Sequence, residues 1–481
     1  MSKPSIPLSR AVAYAAGMFG WALVLNIIIN YLVYIYLPPE DAGLPELIPN
    51  IKLFGIISLI GLITMGSRLL DAITDPWIAS LSDRSRSRRG RRISFMAAGG
   101  FPMVVLMLLV YFPPSSELGM LNLVWLTVTL YLFYIFFTVY AVPHNALIAE
   151  LGHTPAERLN LCTYLSIAWF LGAVIAAQAP IFYELLMDTA GISKIAAIRL
   201  TFSVMGAVAL ICLYLPVFLV DEKRYSSGQP SSISMIHSFK LTFKNKPFII
   251  FAFSDLTYWF FMTILQTGLI YYITVLLRQE ETFFSTIYLL LMAGSFACYP
   301  LVNFAAKAIG KKAVLVISFF LFITVMSFVM FAGIDLVPLA LPLQGYLLAA
   351  VAFFPLAAFG ILPNAIIADI AENEGLRTGS YREGMFYAAR NFMMKVGQML
   401  AILVFVSLLT FGKDAGNDLG LRLSGLVGAA FCTAGLVIFI FYNEKHLLRE
   451  SSWLKEQNEP AEDLTVDRAQ KPCLNEDKGG I

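Results

Sequence analysis

Charge is scarce in this chain. Only 14% of its 481 residues are Asp, Glu, Lys or Arg, against roughly 25% in a typical soluble domain. That composition excludes an ordinary water-soluble protein, whose surface grows too fast with size to be covered so thinly. The net charge of +2 supplies no basic field for a nucleic-acid partner. Five cysteines (Cys162, Cys212, Cys298, Cys432 and Cys473) are scattered without a C-x-x-C pair. This argues against a disulfide framework and a zinc site, and the thiols read as packing residues. A Walker P-loop is absent, as are H-E-x-x-H and G-x-S-x-G. The chain is therefore not expected to be an enzyme, to hold a cofactor or to consume ATP.

What it has in abundance is apolar sequence, 58% of all residues. A bilayer core of roughly 30 Å needs about 20 apolar residues per spanning helix. Twelve segments meet that need: 11–37, 51–79, 93–112, 119–149, 159–187, 197–220, 247–278, 284–306, 313–332, 340–371, 384–412 and 418–443. The first is longer than a signal-peptide core and lacks a clear cleavage site, so it is read as a retained membrane helix. Pro102, Pro180, Pro300 and Pro355 fall inside segments, where membrane helices tolerate them.

Loop charge sets the orientation. The loop at 80–92 holds six arginines (Arg84, Arg86, Arg88, Arg89, Arg91 and Arg92), whereas the next expected loop, 113–118, holds only Glu117. Lysines and arginines also fill 221–246 and 307–312, while 38–50 has acids alone. Both termini are expected on the cytoplasmic side of the cell (inner or plasma) membrane. The reading is an all-α polytopic protein, expected as a monomer in the lipid bilayer. Residues 1–220 form one six-helix bundle and 247–443 a second. A cytoplasmic loop, 221–246, joins them, and a polar tail at 444–481 begins amphipathic and continues disordered.

The two bundles are related. Asn145-Ala146-Leu147-Ile148-Ala149-Glu150 closes the fourth segment, and Asn364-Ala365-Ile366-Ile367-Ala368-Asp369 closes the tenth, 219 residues later. Gly90-Arg91-Arg92 precedes the third, and Gly310-Lys311-Lys312 precedes the ninth, 220 residues later. Two landmarks with nearly one offset indicate a parallel six-plus-six repeat. This resembles the major facilitator superfamily, whose substrate path lies between the halves near mid-membrane. Asp83-Arg84 followed by Gly90-Arg91-Arg92 resembles that superfamily's D-R-x-G-R-R gating loop, with a longer spacer. Glycine permits the turn, and the arginines can cap helix ends and pair with Asp83.

The sharpest polar signal is Arg68-x-x-Asp71-x-x-x-Asp75-Pro76 in the second segment. Spacings of three, four and seven put the three charges on one helical face. Ionisable groups at membrane depth cost about 2.5–3.5 kcal/mol each, so they persist where they find partners. Two carboxylates against one arginine leave negative charge for Na⁺ or a proton. The equivalent positions of the other half fall near Met292 and Ser295, so only one half carries the candidate cation site. Lys395, deep in the eleventh segment, needs an anionic partner, and Asp71 or Asp75 across the interface is the economical choice. Asp255, His144, Asn26, Asn30, Gln178, Gln266 and Asn303 read more readily as interhelical hydrogen bonds than as ligands. Asn145 at the repeat landmark, Arg390 and the aromatics Trp21, Tyr140, Trp169, Trp259 and Tyr387 complete a candidate substrate pocket with Asp255 and Gln266.

At these residues the chain resembles the glycoside–pentoside–hexuronide:cation symporter family, over about 10–443. Arg68, Asp71, Asp75 and Pro76 look like that family's cation motif. The Asn245-Lys246-Pro247 start of the seventh segment is also family-like, and Lys395 looks like the family's coupling lysine. Thr138, five residues before Pro143, stands where the family has a cation-site threonine. The resemblance implies Na⁺ or H⁺ symport of a sugar, glycoside or related small solute by alternating access. It also has departures. Ala22 and Ala141 stand where family members carry sugar-binding aspartates, and Leu165 or Ser166 stands where they carry an arginine. Distant members that move lysolipids share the cation motif and the lysine, so an amphipathic substrate is the alternative. A non-transporting membrane receptor is the remaining one, against which the Arg68/Asp71/Asp75/Lys395 network argues.

Overall fold

A helix satisfies its own backbone in lipid, and the long apolar segments of this chain fold as helices. The computed structural model describes residues 6–49, 51–53, 55–87, 89–225, 242–334, 338–379 and 383–458. The first half holds α1 (Leu8–Tyr36), α2 (Leu59–Arg84), α3 (Ile93–Tyr111), α4 (Met120–Leu151), α5 (Pro155–Ala177), α6 (Ala179–Ala190) and α7 (Lys194–Leu219). A short α8 (Glu222–Tyr225) follows. The second half holds α9 (Lys246–Tyr271), α10 (Glu281–Ile309), α11 (Lys311–Phe331), α12 (Leu341–Thr378), α13 (Glu383–Leu408) and α14 (Leu419–Ile440), then α15 (Glu444–Asn458). Most of the expected middle loop and the end of the tail lie outside the described residues. Among those described, eleven helical stretches are long and apolar enough to cross a membrane. The second expected segment, α2, is set apart from them by the charges it carries. At 26 residues it is still about 39 Å long, enough to span.

Two boundaries differ from the sequence reading. Residues 51–58 do not join the second helix. Lys52–Leu53 and Ile57–Ser58 pair instead as a small antiparallel hairpin, and α2 starts at Leu59. The segment at 159–187 breaks at Gln178, because Pro180 has no N–H to continue the ladder. The carbonyls loosened there find other donors. The Tyr31 hydroxyl donates to Ala176 at 3.1 Å, and the Ser285 hydroxyl, from the other half, donates to Ala177 at 2.7 Å.

The loop end of each half closes in the same way. Arg91 pairs with Glu150 at 2.9 Å, and Lys311 pairs with Asp369 at 2.5 Å. The two repeated landmarks are thus the two partners of one ion pair, present twice. Glu222 accepts from the backbone N–H groups of Arg91, Arg92 and Ile93 at 2.9–3.1 Å, satisfying the first turn of α3. Glu444 does the same for Lys311 and Lys312 at 3.0 and 2.9 Å. Burial raises the Glu222 carboxyl above the usual range, and the backbone N–H groups act against that rise. Gly90 and Gly310 turn with φ of 118° and 92°, and a Cβ at Gly90 would run into the Glu222 carboxylate.

The bonds that join the halves gather at the opposite end. Tyr34 and Lys194 both reach Glu281 of α10 at 2.7 Å, and Tyr183 also donates to it. Ser58 N–H meets the Ser407 hydroxyl at 3.2 Å, Lys52 reaches the Thr410 carbonyl at 3.0 Å, and Lys413 binds the Pro38 carbonyl. Tyr271 donates to the Val33 and Leu37 carbonyls at 3.1 and 2.9 Å. Below this seam, α2 packs along α13.

Candidate functional site

The α2–α13 contact brings the two halves' charges together. Asp71 lies twelve residues into α2 and Lys395 twelve into α13, so both stand near mid-helix. Lys395 Nζ sits 2.8 Å from Asp71 Oδ2 and 2.5 Å from Asp75 Oδ2. Asp71 is fully buried, and its other oxygen accepts from the Thr138 hydroxyl of α4 at 2.7 Å. The Thr74 hydroxyl lies 3.3 Å from that of Thr138. Two helices, α2 and α4, therefore bring two carboxylates and two hydroxyls together, and α13 of the other half puts a single ammonium between them. Hard oxygen donors in that number suit an alkali cation, and the paired carboxylates equally suit a proton. Asp71, Asp75, Thr138 and Lys395 form one cluster.

Arg68 does not belong to it. Although it shares their helical face, it makes no ion pair with either carboxylate; its guanidinium lies 4.8 Å over the Tyr134 ring. One turn separates Arg68 from Asp71, and that turn points it toward the seam. The ammonium between the two carboxylates is that of Lys395, while Arg68, expected in the same charge network, pairs with neither.

The loop after α2, expected to gate, is largely connected. Arg92 donates to Asp83, to Ser82 at 2.5 Å and to Glu150 at 3.2 Å, tying the end of α2 to α3 and α4. Arg84 points outward and is exposed.

The candidate pocket residues divide. Trp21 packs on Phe137 and Trp169, with ring centroids 5.5 and 5.1 Å away, and Trp169 is partly exposed. Gln266 reaches Asn26 at 3.1 Å, joining α1 to α9 across the interface. The indole N–H groups of Trp21 and Trp259 are shielded without an acceptor, as is the Asn30 amide nitrogen. Asn145 is exposed near the loop end. Other candidates have partners within the protein. Tyr140 is fully buried between α4 and α7 and donates to the Leu213 carbonyl at 2.7 Å. Asp255 and Arg390 hold each other at 2.9 and 3.2 Å, and Arg390 also binds Asn364 at 2.7 Å. Tyr387 donates to the Asn364 carbonyl at 3.1 Å. The Arg390–Asp255–Asn364 triad ties α13 to α9 and α12, five residues before Lys395.

The comparisons with known proteins agree with this architecture. A family model described as MFS/sugar transport protein matches residues 13–443. This chain belongs to that family. The transporter is 24% identical to an uncharacterised symporter of Synechocystis, over 92% of this chain and 95% of that one. It is 26% identical to the uncharacterised symporter YnaJ of Bacillus subtilis, over 82% and 81% of the two chains. An isoprimeverose transporter of Lactiplantibacillus pentosus is 21% identical over 64% of this chain and 61% of its own. Among solved structures, the nucleoside transporter NupG superposes with a TM-score of 0.61 at 13% identity, covering 90% of this chain and 98% of NupG. These findings make the protein a multi-pass membrane transporter of the major facilitator fold, and not an enzyme.

Ala22 is fully buried where α1 meets α5. The sequence reading missed Glu222 and Glu444. Their signal is present: Asp221-Glu222-Lys223 and Asn443-Glu444-Lys445 repeat at an offset of 222. It also missed Glu281, whose partners come from α1, α6 and α7 and are unreadable from local spacing.

Proposed function

We propose that this transporter is a secondary active, cation-coupled symporter, with Na⁺ or H⁺ bound at Asp71, Asp75 and Thr138. The observation that carries the reading is Lys395 of one half holding both α2 carboxylates of the other. A cation entering there competes with the ammonium for the same oxygens. An inter-half ion pair that loses a partner is worth about 3–5 kcal/mol, enough to bias which way two halves rock. The seam around Tyr34, Ser58, Tyr271, Glu281 and Ser407 joins the halves at the end expected outside, which supports a conformation closed there, with twelve spans and both termini inside.

The cargo is a sugar or related small solute, held between the halves. The unpaired indole N–H groups of Trp21 and Trp259 and the Asn30 amide are donors suited to hydroxyl and ether oxygens. Relatives named as sugar transporters support this class. The absence of carboxylates at Ala22 and Ala141 favours a second reading, an amphipath such as a lysolipid.

Uptake into membrane vesicles tests the proposal. An imposed Na⁺ or pH gradient should drive accumulation, and Asp71→Asn should abolish the response while the protein still folds. Intact gradient coupling in that variant sinks the cation site. Thermal stabilisation by a lysolipid but by no sugar transfers the cargo to the second reading.

A further inference from the structure

Arg68 is left over from the cluster described above. It is 6% exposed, makes no hydrogen bond or ion pair among the described residues, and its Nε is shielded without an acceptor. Guanidinium stays protonated in proteins, so this is a largely buried full charge whose one described charge contact is the face of Tyr134. Such a charge needs an anion. The two carboxylates that follow it on α2 are taken: Lys395 and Thr138 occupy Asp71, and Lys395 occupies Asp75.

A cavity of about 20 Å³ lies against Arg68, just below the seam. It is walled by both halves. Thr267 of α9 contributes the second shielded polar atom without a partner, its hydroxyl oxygen. Thr64 and Ser67 also line the space, but their hydroxyls donate to carbonyls of their own helix at 2.9 and 2.8 Å. The remaining wall is largely aliphatic, including Ile29, Leu32, Leu130 and Ile402, and carries no acidic side chain. The site thus presents a cation and a free hydroxyl. The volume admits one water-sized group and excludes a sugar ring.

We propose that Arg68 and Thr267 form a binding site for one small monovalent anionic group, bridging the halves beneath the closed seam. The chemistry fits a free halide or the carboxylate end of a transported solute. Because the wall comes from both halves, an occupant favours this closed arrangement over one in which they part. Charge balance adds a consequence that rests on the cation-site reading. Arg68, Lys395, Asp71 and Asp75 sum to zero. A bound cation makes the set +1, and the anion restores neutrality, so the two ligands should bind with positive cooperativity.

The test is thermal unfolding of the purified full chain at constant Na⁺ and ionic strength. Chloride or bromide replaces methanesulfonate, which is too large for the cavity. A rise of about 2 °C or more in wild type, lost in Arg68→Gln and shifted to roughly tenfold higher halide in Thr267→Val, identifies a free-anion site. If halides do nothing, a uronate is compared with its neutral parent glycoside in halide-free buffer. Stabilisation by the uronate alone, lost in Thr267→Val and in Arg68→Lys, assigns the site to the cargo's carboxylate. No effect in either arm means the cavity holds only water and overturns the proposal. Should Arg68→Gln not fold, Thr267→Val and Arg68→Lys carry the result. Asp71→Asn separates this inference from the cation reading. An anion effect that persists there while Na⁺ still acts leaves this site standing and removes the other.

Discussion

At the loop end the halves are copies. Arg91 on Glu150 with Glu222 beneath them matches Lys311 on Asp369 with Glu444 beneath. In the middle they are unlike. Helix α2 carries Asp71 and Asp75, while its counterpart α10 has Met292 and Ser295, and the single answering charge is Lys395. The repeated part ties helices together within each half. The unrepeated part is where one bundle grips the other. A rocking mechanism needs that division, because what holds a half together must not change when the halves part.

Four measurements would break or sharpen this contrast. The largest effect is expected at the unrepeated centre. Lys395→Gln should cut gradient-driven accumulation by about 100-fold, near the upper range of site–site coupling, with the chain still inserted. Full coupling without the lysine would make the grip incidental. Next is Ser295→Asp, which puts an unpaired carboxylate into the half that lacks one. It should destabilise by about 2.5–3.5 kcal/mol, seen as a lower unfolding temperature, with no new Na⁺ dependence. A stable variant with a second Na⁺ effect would mean the halves are interchangeable after all.

The repeated clusters should respond in step. Glu222→Gln and Glu444→Gln each weaken a charge-assisted helix cap, for about 1–3 kcal/mol apiece by thermal unfolding. Unequal losses would show that the loop ends are not equivalent. The smallest expected effect is Gly310→Ala, roughly 1–2 kcal/mol for a positive φ. Gly90→Ala should exceed it, since its Cβ also meets Glu222. The reverse order would place the tighter cluster in the second half.

Much was determined by the sequence alone. Long apolar runs must become helices in lipid, so the all-α fold and its segments were readable without any contact. The nearly equal offsets of the two landmarks required two related halves. Helical spacing alone put Asp71 and Asp75 on one face, and burial cost alone demanded an anionic partner for Lys395. Tertiary structure decided what faces what. Arg68 shares the face of Asp71 and Asp75, yet it lies over Tyr134, while Lys395 holds both carboxylates. Asp255 and Arg390 looked like pocket residues and proved to be each other's partners. Tyr140 turned inward to a carbonyl of α7. Periodicity says which residues share a side of one helix. Only packing says which neighbour stands opposite, and a buried charge is defined by that neighbour.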